Sequence, residues 1–274
     1  SLLTANFFLE HERVHLYRLL WSNFFRKKAW CEKEKQKLTA ITERTLPLTI
    51  GIAHLNILLK EDKTALEAIS SLNNEKIPYM PYWIDFFTSQ REWKRLGPYA
   101  EMFIKELKSY LSETDDYYTN RSYANLAINA IRPYCSETGR SDLFEKALIA
   151  ALPYSYNEYE YNLVYNQKFD KWSQLQAYMG YGIDMVHNER ITEISKHSPA
   201  NLLPLYHQTI EEHINMRTRD HYREAVQEMK RLHSLYKKLN RLADWEYFLE
   251  MLLEKTKRLR AFQEECQRGK LIDG

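Results

Sequence analysis

The chain has 274 residues, of which 44% are hydrophobic and 28% are charged, and its formal net charge is +2. A chain of this length can bury a sizeable core, and near-neutrality excludes bulk charge as a drive toward nucleic acid or a membrane surface. With 7 Gly and 8 Pro it has few residues for tight turns, which argues against an all-β fold and a Gly-rich nucleotide-binding fold.

The three cysteines, Cys31, Cys135 and Cys266, are odd in number and far apart. They form neither a disulfide framework nor a CxxC or CxC pair for zinc. Because disulfides are rare in the reducing cytoplasm, we predict a cytoplasmic protein. The sequence contains no apolar run of about 18 residues, so we predict no membrane span. Charged residues at 10–13 interrupt the apolar stretch that a signal peptide would need. Because the chain begins with Ser1 rather than Met, we expect it to be a region of a larger protein.

The first predicted elements, within 2–59, are two long helices broken near Pro47 and Gly51. The apolar residues of the first helix are Phe7, Phe8, Val14, Tyr17, Leu20, Trp21, Phe24 and Phe25.

An HExxH pattern lies in that first helix, from His11 to His15. Two His residues four apart share a helix face and can bind zinc, and the Glu between them can act as a general base on metal-bound water. Glu34 is the candidate third ligand, so a zinc metallohydrolase is one alternative function. A chance match is favoured, because no carboxylates that would orient the His rings are identifiable. We therefore assign no catalytic residue, no metal ligand and no cofactor.

Three joints in the middle of the chain place a large side chain just inside a helix that follows a polar turn. They are 89–107, 137–152 and 167–179. Trp93, Trp172 and Trp245 are separated by 79 and 73 residues. Each interval accommodates two repeats of about 34 to 40 residues, the size of a tetratricopeptide-like hairpin.

Five tyrosines, Tyr154, Tyr156, Tyr159, Tyr161 and Tyr165, form the candidate partner-binding site. Tyr is common among the anchors of protein interfaces, and it can also stack on nucleic-acid bases. Packing between repeats, with the hydroxyls reaching solvent, is the favoured interpretation. On the binding hypothesis, truncating Tyr156, Tyr159 or Tyr161 weakens partner binding without unfolding the chain.

The clearest pattern in the chain is a helical hairpin near its C-terminal end. The apolar stripe of the first helix is Tyr222, Ala225, Val226, Met229, Leu232, His233, Tyr236 and Leu239. Asp220 is the predicted cap of this helix, and Asp244 caps a second helix that runs past Phe262 to Gly269. His207 and His213 are six residues apart and do not share a helix face, which argues against a metal-binding pair.

From Pro204 onward, over about 70 of the 274 residues, the sequence resembles the C-terminal helical region of bacterial SWIM-type zinc-finger proteins. The matching segments are 202–208, 222–226, 235–239, 244–245, 257–265 and 269–272. The resemblance implies an intracellular, multi-part protein whose zinc module needs a CxC pair followed by Cys and His. This chain has no CxC, so no zinc ligand is carried over.

We predict an all-α fold of stacked antiparallel helical hairpins, a TPR-like α-solenoid, in one domain over 1–274 with a weaker division near 112–120. The predicted function is non-catalytic: a scaffold region of a larger bacterial protein that binds a protein or peptide, with no membrane partner. The resemblance and three basic clusters leave a nucleic-acid-associated domain, acting through the parent protein, as a second alternative. The clusters are Arg26, Lys27, Lys28, Lys33, Lys35 and Lys37; Arg217, Arg219 and Arg223; and Lys255, Lys257, Arg258 and Arg260.

Overall fold

The computed structural model describes residue 3 and residues 9–113 and 115–272. The fold is all-α, as predicted: the described residues contain fifteen α-helices and no strand. The helices are α1 (Glu10–Asn23), α2 (Lys28–Thr39), α3 (Leu46–Leu58), α4 (Asp62–Ser70), α5 (Met80–Ser89), α6 (Trp93–Leu111), α7 (Tyr117–Thr138), α8 (Ser141–Ala150), α9 (Tyr156–Tyr165), α10 (Phe169–Met179), α11 (Asn188–His197), α12 (Leu203–Asn215), α13 (Arg219–Lys238), α14 (Leu242–Lys255) and α15 (Arg260–Arg268). Short 3₁₀ segments occupy Asn74–Tyr79, Ile183–Met185 and Pro199–Leu202. None of the described helices combines the length and apolar composition needed to cross a membrane.

The chain divides into two compact units, Ser1–Tyr159 and Glu160–Gly274, here called the N-terminal and C-terminal units. The boundary falls within α9. The segment 112–120, predicted as a weaker division, belongs to the N-terminal unit, where it covers the connection from α6 into α7. The single-domain organisation and the TPR-like stacking stay predictions.

The beginning of the chain forms three helices, α1 to α3, where the sequence analysis predicted two. Pro47 lies in the first turn of α3, where a missing N–H and a fixed φ are tolerated. Position 51 lies inside α3 and is a glycine; a Cβ atom there would clash with the side chain of Leu3. The predicted core residues Phe7 and Phe8 lie outside the described residues.

The core of the N-terminal unit is built around α3, which packs against α1, α2 and α4. This helix is apolar on nearly every side, as expected of an interior helix, and Ile50, Leu55 and Ile57 are fully buried. Helix α5 packs against α6 and α7 and adds the buried side chains of Trp83 and Phe87. Two polar side chains of α3, those of His54 and Asn56, are buried in this apolar interior.

In the C-terminal unit, α13 is the predicted first helix of the hairpin, and its predicted apolar stripe is largely buried. The predicted cap was wrong. Thr218 caps α13 by accepting a hydrogen bond from the backbone N–H of His221, and Asp220 lies one residue inside the helix. The joints predicted upstream are confirmed as the starts of α6, α8 and α10.

The second helix of the hairpin is divided, which the sequence analysis did not predict. Helix α14 begins at Leu242, two residues before the predicted cap Asp244, and ends at Lys255, and α15 begins at Arg260. At the end of α14 the Thr256 hydroxyl donates to the carbonyl of Leu252 at 2.7 Å, a bond that slightly destabilises and often bends a helix.

Candidate functional site

A groove of about 420 Å³ lies between α1 and α5 in the N-terminal unit. On the α1 side, His15 and Ser22 are seven residues apart and share one face of the helix, and Arg26 follows the end of α1. The lining residues are His15, Ser22, Asn23 and Arg26 on that side, and Tyr82, Asp85, Phe86, Ser89 and Gln90 on the α5 side. We call it the α1–α5 groove.

A hydrogen-bonded network connects this groove to the core. Ser22 Oγ lies 2.9 Å from the Tyr82 hydroxyl and 3.2 Å from His54 Nε2. His54 Nε2 is also 3.2 Å from the carbonyl oxygen of Arg18, and the indole N–H of Trp83 donates to His54 Nδ1 at 3.2 Å. Both ring nitrogens of a fully buried histidine are therefore engaged, which fixes the two walls of the groove to α3.

The chemistry of the network argues against Ser22 and His54 acting as a nucleophile–base pair. An indole N–H can only donate, so His54 Nδ1 accepts and the proton of the neutral ring lies on Nε2. Nε2 therefore donates toward Ser22 or the Arg18 carbonyl and has no lone pair to take the serine proton. Burial, with a smaller contribution from Arg18, lowers the pKa of His54 to about 3, which keeps the ring neutral.

Arg18 lies beneath the groove and is fully buried. Its Nη1 donates to the Tyr79 carbonyl at 2.7 Å, and its guanidinium lies 4.3 Å from the ring centroid of Tyr82 and 5.4 Å from that of Trp83. No ion-pair partner of Arg18 occurs among the described residues, so aromatic faces supply the compensating interaction. Burial lowers the pKa of this guanidinium to about 10.

The charged groups on the walls differ in how they are compensated. Arg26 donates to the Gln90 side chain at 2.9 Å and lies over the Phe86 ring. Asp85 has no ion pair with any described side chain, and although its carboxylate remains accessible, the atoms packed around it raise its pKa. Asp85 is therefore an exposed carboxylate that a cation of a binding partner can reach.

Three large apolar side chains of α1 and its C-cap are exposed: Leu16, Leu19 and Phe24, with 45%, 38% and 71% of their surface accessible. We call them the α1 rim. Leu19 precedes Ser22 and Asn23 by about one helical turn, so it borders the same face of α1 that lines the groove. A local group of exposed apolar side chains beside a cleft is typical of protein-binding surfaces.

The structure does not bring together His11, His15 and Glu34, the alternative zinc ligands: they form no group of ligand atoms within 4.8 Å. His11 Nε2 lies 3.3 Å from the Pro78 carbonyl, and the His15 ring packs edge-on against Tyr82. Glu34 pairs with Lys37 on α2. Burial, followed by the charges of Arg18 and His11, lowers the pKa of His15.

The five predicted tyrosines do not form one surface. Tyr161 and Tyr165 are 62% and 74% exposed, and their rings stack with centroids 6.0 Å apart. Tyr159 is buried, and its hydroxyl donates to Glu145 at 3.2 Å. Tyr154 and Tyr156 are partly buried, and the hydroxyl of Tyr154 accepts from the Asn120 amide. The exposed part of the predicted site is therefore the pair Tyr161 and Tyr165.

Truncation to alanine distinguishes a tyrosine that packs in the core from one that is exposed on the surface. We expect Tyr159→Ala to lower the free energy of unfolding by about 3 kcal/mol, because it removes a buried ring and leaves Glu145 without that donor. This replaces the expectation that Tyr159 can be truncated without affecting the fold. Tyr161→Ala is expected to change stability by less than about 0.5 kcal/mol. Urea unfolding followed by circular dichroism measures both, and equal effects would contradict the assigned burial.

About half of the side chains in the basic clusters pair with neighbouring acidic groups. Lys35 pairs with Glu61 and Lys255 with Glu211. Arg219 pairs with both Glu264 and Glu265. Ion pairs of this kind are typical of solvated helix faces, and they leave less free positive charge for a phosphate backbone than the sequence suggested.

Sequence reasoning missed the groove: it considered His15 only as a zinc ligand and Arg26 only as part of a basic cluster. One signal was present: Asp85 is the only charged residue in the apolar and aromatic segment 80–87. A second was His54, one of the few polar residues in the mainly apolar pattern of α3.

Comparison with known proteins gives one curated relative. The chain is 29% identical over 267 residues to YwqB, an uncharacterized protein of Bacillus subtilis strain 168. The match covers 97% of this chain and 50% of the relative, so the chain spans about half the length of the curated protein it matches. No protein-family model matches the chain. No solved structure matches it either.

Proposed function

We propose that this chain is a non-catalytic protein-interaction region, cytoplasmic and part of a larger protein, and that its α1–α5 groove binds a segment of a protein partner. The observation that carries the proposal is a groove whose α5 wall presents Asp85, a carboxylate without an ion pair to any described side chain, and whose other wall is α1, the helix that carries the exposed α1 rim. The occupant that complements this surface is an amphipathic segment. Its large apolar residues would cover Leu19 and Phe24, and a Lys or Arg would pair with Asp85.

The groove is also suited to specific binding because its walls are held in place. Ser22 and Tyr82 form part of the buried network, so they need little reorganisation when a partner binds. The ion pairs within the basic clusters make the nucleic-acid alternative weaker, and the separation of His11 and His15 from Glu34 does the same for the zinc-hydrolase alternative.

Selection of displayed random peptides against the purified chain tests the proposal. We expect enriched peptides to share apolar residues at helical spacing and a nearby Lys or Arg. We expect Leu19→Glu to weaken their binding by more than about tenfold, because it places a charge at the centre of an apolar contact. Asp85→Asn is expected to weaken it by about five- to tenfold through loss of the charge pair.

Leu126→Glu is the matched control, since Leu126 is 47% exposed on α7 and lies outside the groove. The control should bind the selected peptides like the unchanged chain. Selected peptides that bind the Leu19 and Asp85 variants as tightly as the control would contradict the proposal.

A further inference from the structure

Three potential metal ligands meet at the joint between α12 and α13 in the C-terminal unit. They are His213, His221 and Glu224, and their ligand atoms all lie within 4.8 Å of one another. His213 lies in the last turn of α12. His221 and Glu224 lie three residues apart in the first turns of α13, so they share a helix face. No other group of three such ligands at this spacing occurs within the residues that the structure describes.

The distances are close to those of a bound ion. His213 Nδ1 lies 3.3 Å from a carboxylate oxygen of Glu224, and the two histidine rings have centroids 5.7 Å apart. Around a tetrahedral zinc ion with bonds of about 2.0 to 2.1 Å, ligand atoms are separated by about 3.4 Å. Small side-chain movements would therefore suffice, and the backbones of α12 and α13 can stay in place.

A neighbouring side chain orients one of the ligands. The Thr218 hydroxyl lies 2.6 Å from His221 Nδ1 and also accepts from the backbone N–H of His221. The hydroxyl can accept from Nδ1–H, and in that tautomer the Nε2 lone pair is free for a metal. Metal-binding histidines in proteins commonly donate their second N–H to such a partner.

We propose that His213, His221 and Glu224 form a binding site for a divalent transition-metal ion of the zinc class. Two imidazoles and one carboxylate suit zinc, and three protein ligands leave a fourth position for water. The ion would join the end of α12 to the start of α13, across a connection in which Arg217 has a φ of 55°. The site is separate from the groove of the N-terminal unit and does not depend on the proposed function.

Zinc titration of the purified, metal-stripped full chain tests the site, with a chromophoric chelator as competitor. We expect one ion per chain, and we expect His213→Gln, His221→Gln and Glu224→Gln each to weaken binding by at least about tenfold. His187→Gln is the matched control, because His187 is exposed in the same unit and lies outside the cluster. It should bind zinc like the unchanged chain.

Cobalt provides a second readout. Co²⁺ bound to the unchanged chain should give the visible absorption of a tetrahedral site with nitrogen and oxygen ligands, and the Glu224 variant should lose it. Glu224 is exposed, so this variant keeps the test valid even where a histidine variant folds poorly. Absence of one-to-one binding, or binding that all three variants retain, would overturn the proposal.

Discussion

Replacing Trp83 by alanine should lower the free energy of unfolding of the N-terminal unit by about 4 to 5 kcal/mol. Trp83 is fully buried, so the change leaves a large cavity, for which losses of about 3 to 5 kcal/mol are typical. The same change removes the indole N–H that donates to His54 Nδ1 and leaves a buried acceptor unpaired. Because domains are stable by only about 5 to 15 kcal/mol, much of the stability of this unit would be lost.

Hydrogen exchange of α3 and α5 amides in the full chain measures this effect for the N-terminal unit alone. Trp83→Phe separates the two causes, since it retains most of the volume and removes the donor. Trp30→Ala is the control because that ring is 45% exposed, and its effect should stay below about 1 kcal/mol. If Trp83→Ala and Trp30→Ala changed the exchange of α3 equally, the buried role of Trp83 would be contradicted.

Acid should destabilise the N-terminal unit through His54. The pKa of this histidine is about 3 in the folded chain, against an ordinary value of 6.5 when unfolded. The unfolded chain therefore binds a proton first as the pH falls, so stability is complete above pH 6.5 and is lost progressively down to about pH 3. The whole effect is about 4 to 5 kcal/mol, and about 2 kcal/mol of it falls between pH 6.5 and pH 5.

The interval from pH 7 to pH 5 isolates this effect, because most carboxylates remain ionised there. We expect the opening free energy of α3 amides to fall by about 2 kcal/mol in the unchanged chain and to stay nearly constant in His54→Gln. His15→Gln is the control for the other histidine of this region. An equal fall in His54→Gln would show that another group is responsible.

The fold class was predictable because it depends on local periodicity. The stripe of α13, repeating every three or four residues, is visible in the sequence and is largely buried in the structure. Helix ends were less predictable because they depend on single hydrogen bonds. Thr218 rather than Asp220 caps α13, and α14 ends at Lys255 although the apolar pattern continues toward Phe262.

The candidate sites required tertiary structure. Ser22 and Tyr82, which join the walls of the groove, lie 60 residues apart in sequence, and no local pattern relates them. At the α12–α13 joint the partners of His213 lie on the next helix, so the spacing of His207 and His213 within α12 could not reveal them. Residues close in sequence can also differ in burial: Tyr159 faces the core, and the run of tyrosines does not reveal which of its rings do so.

The central claim is that the α1–α5 groove is the partner-binding surface of this chain. Hydrogen exchange of the full chain, with and without the tightest selected peptide, tests it most directly. We predict that bound peptide slows exchange in 15–26 and 82–90 and leaves 156–165 unchanged. Slowed exchange in 156–165 with no change at either wall of the groove would contradict the claim and favour the Tyr161 and Tyr165 pair.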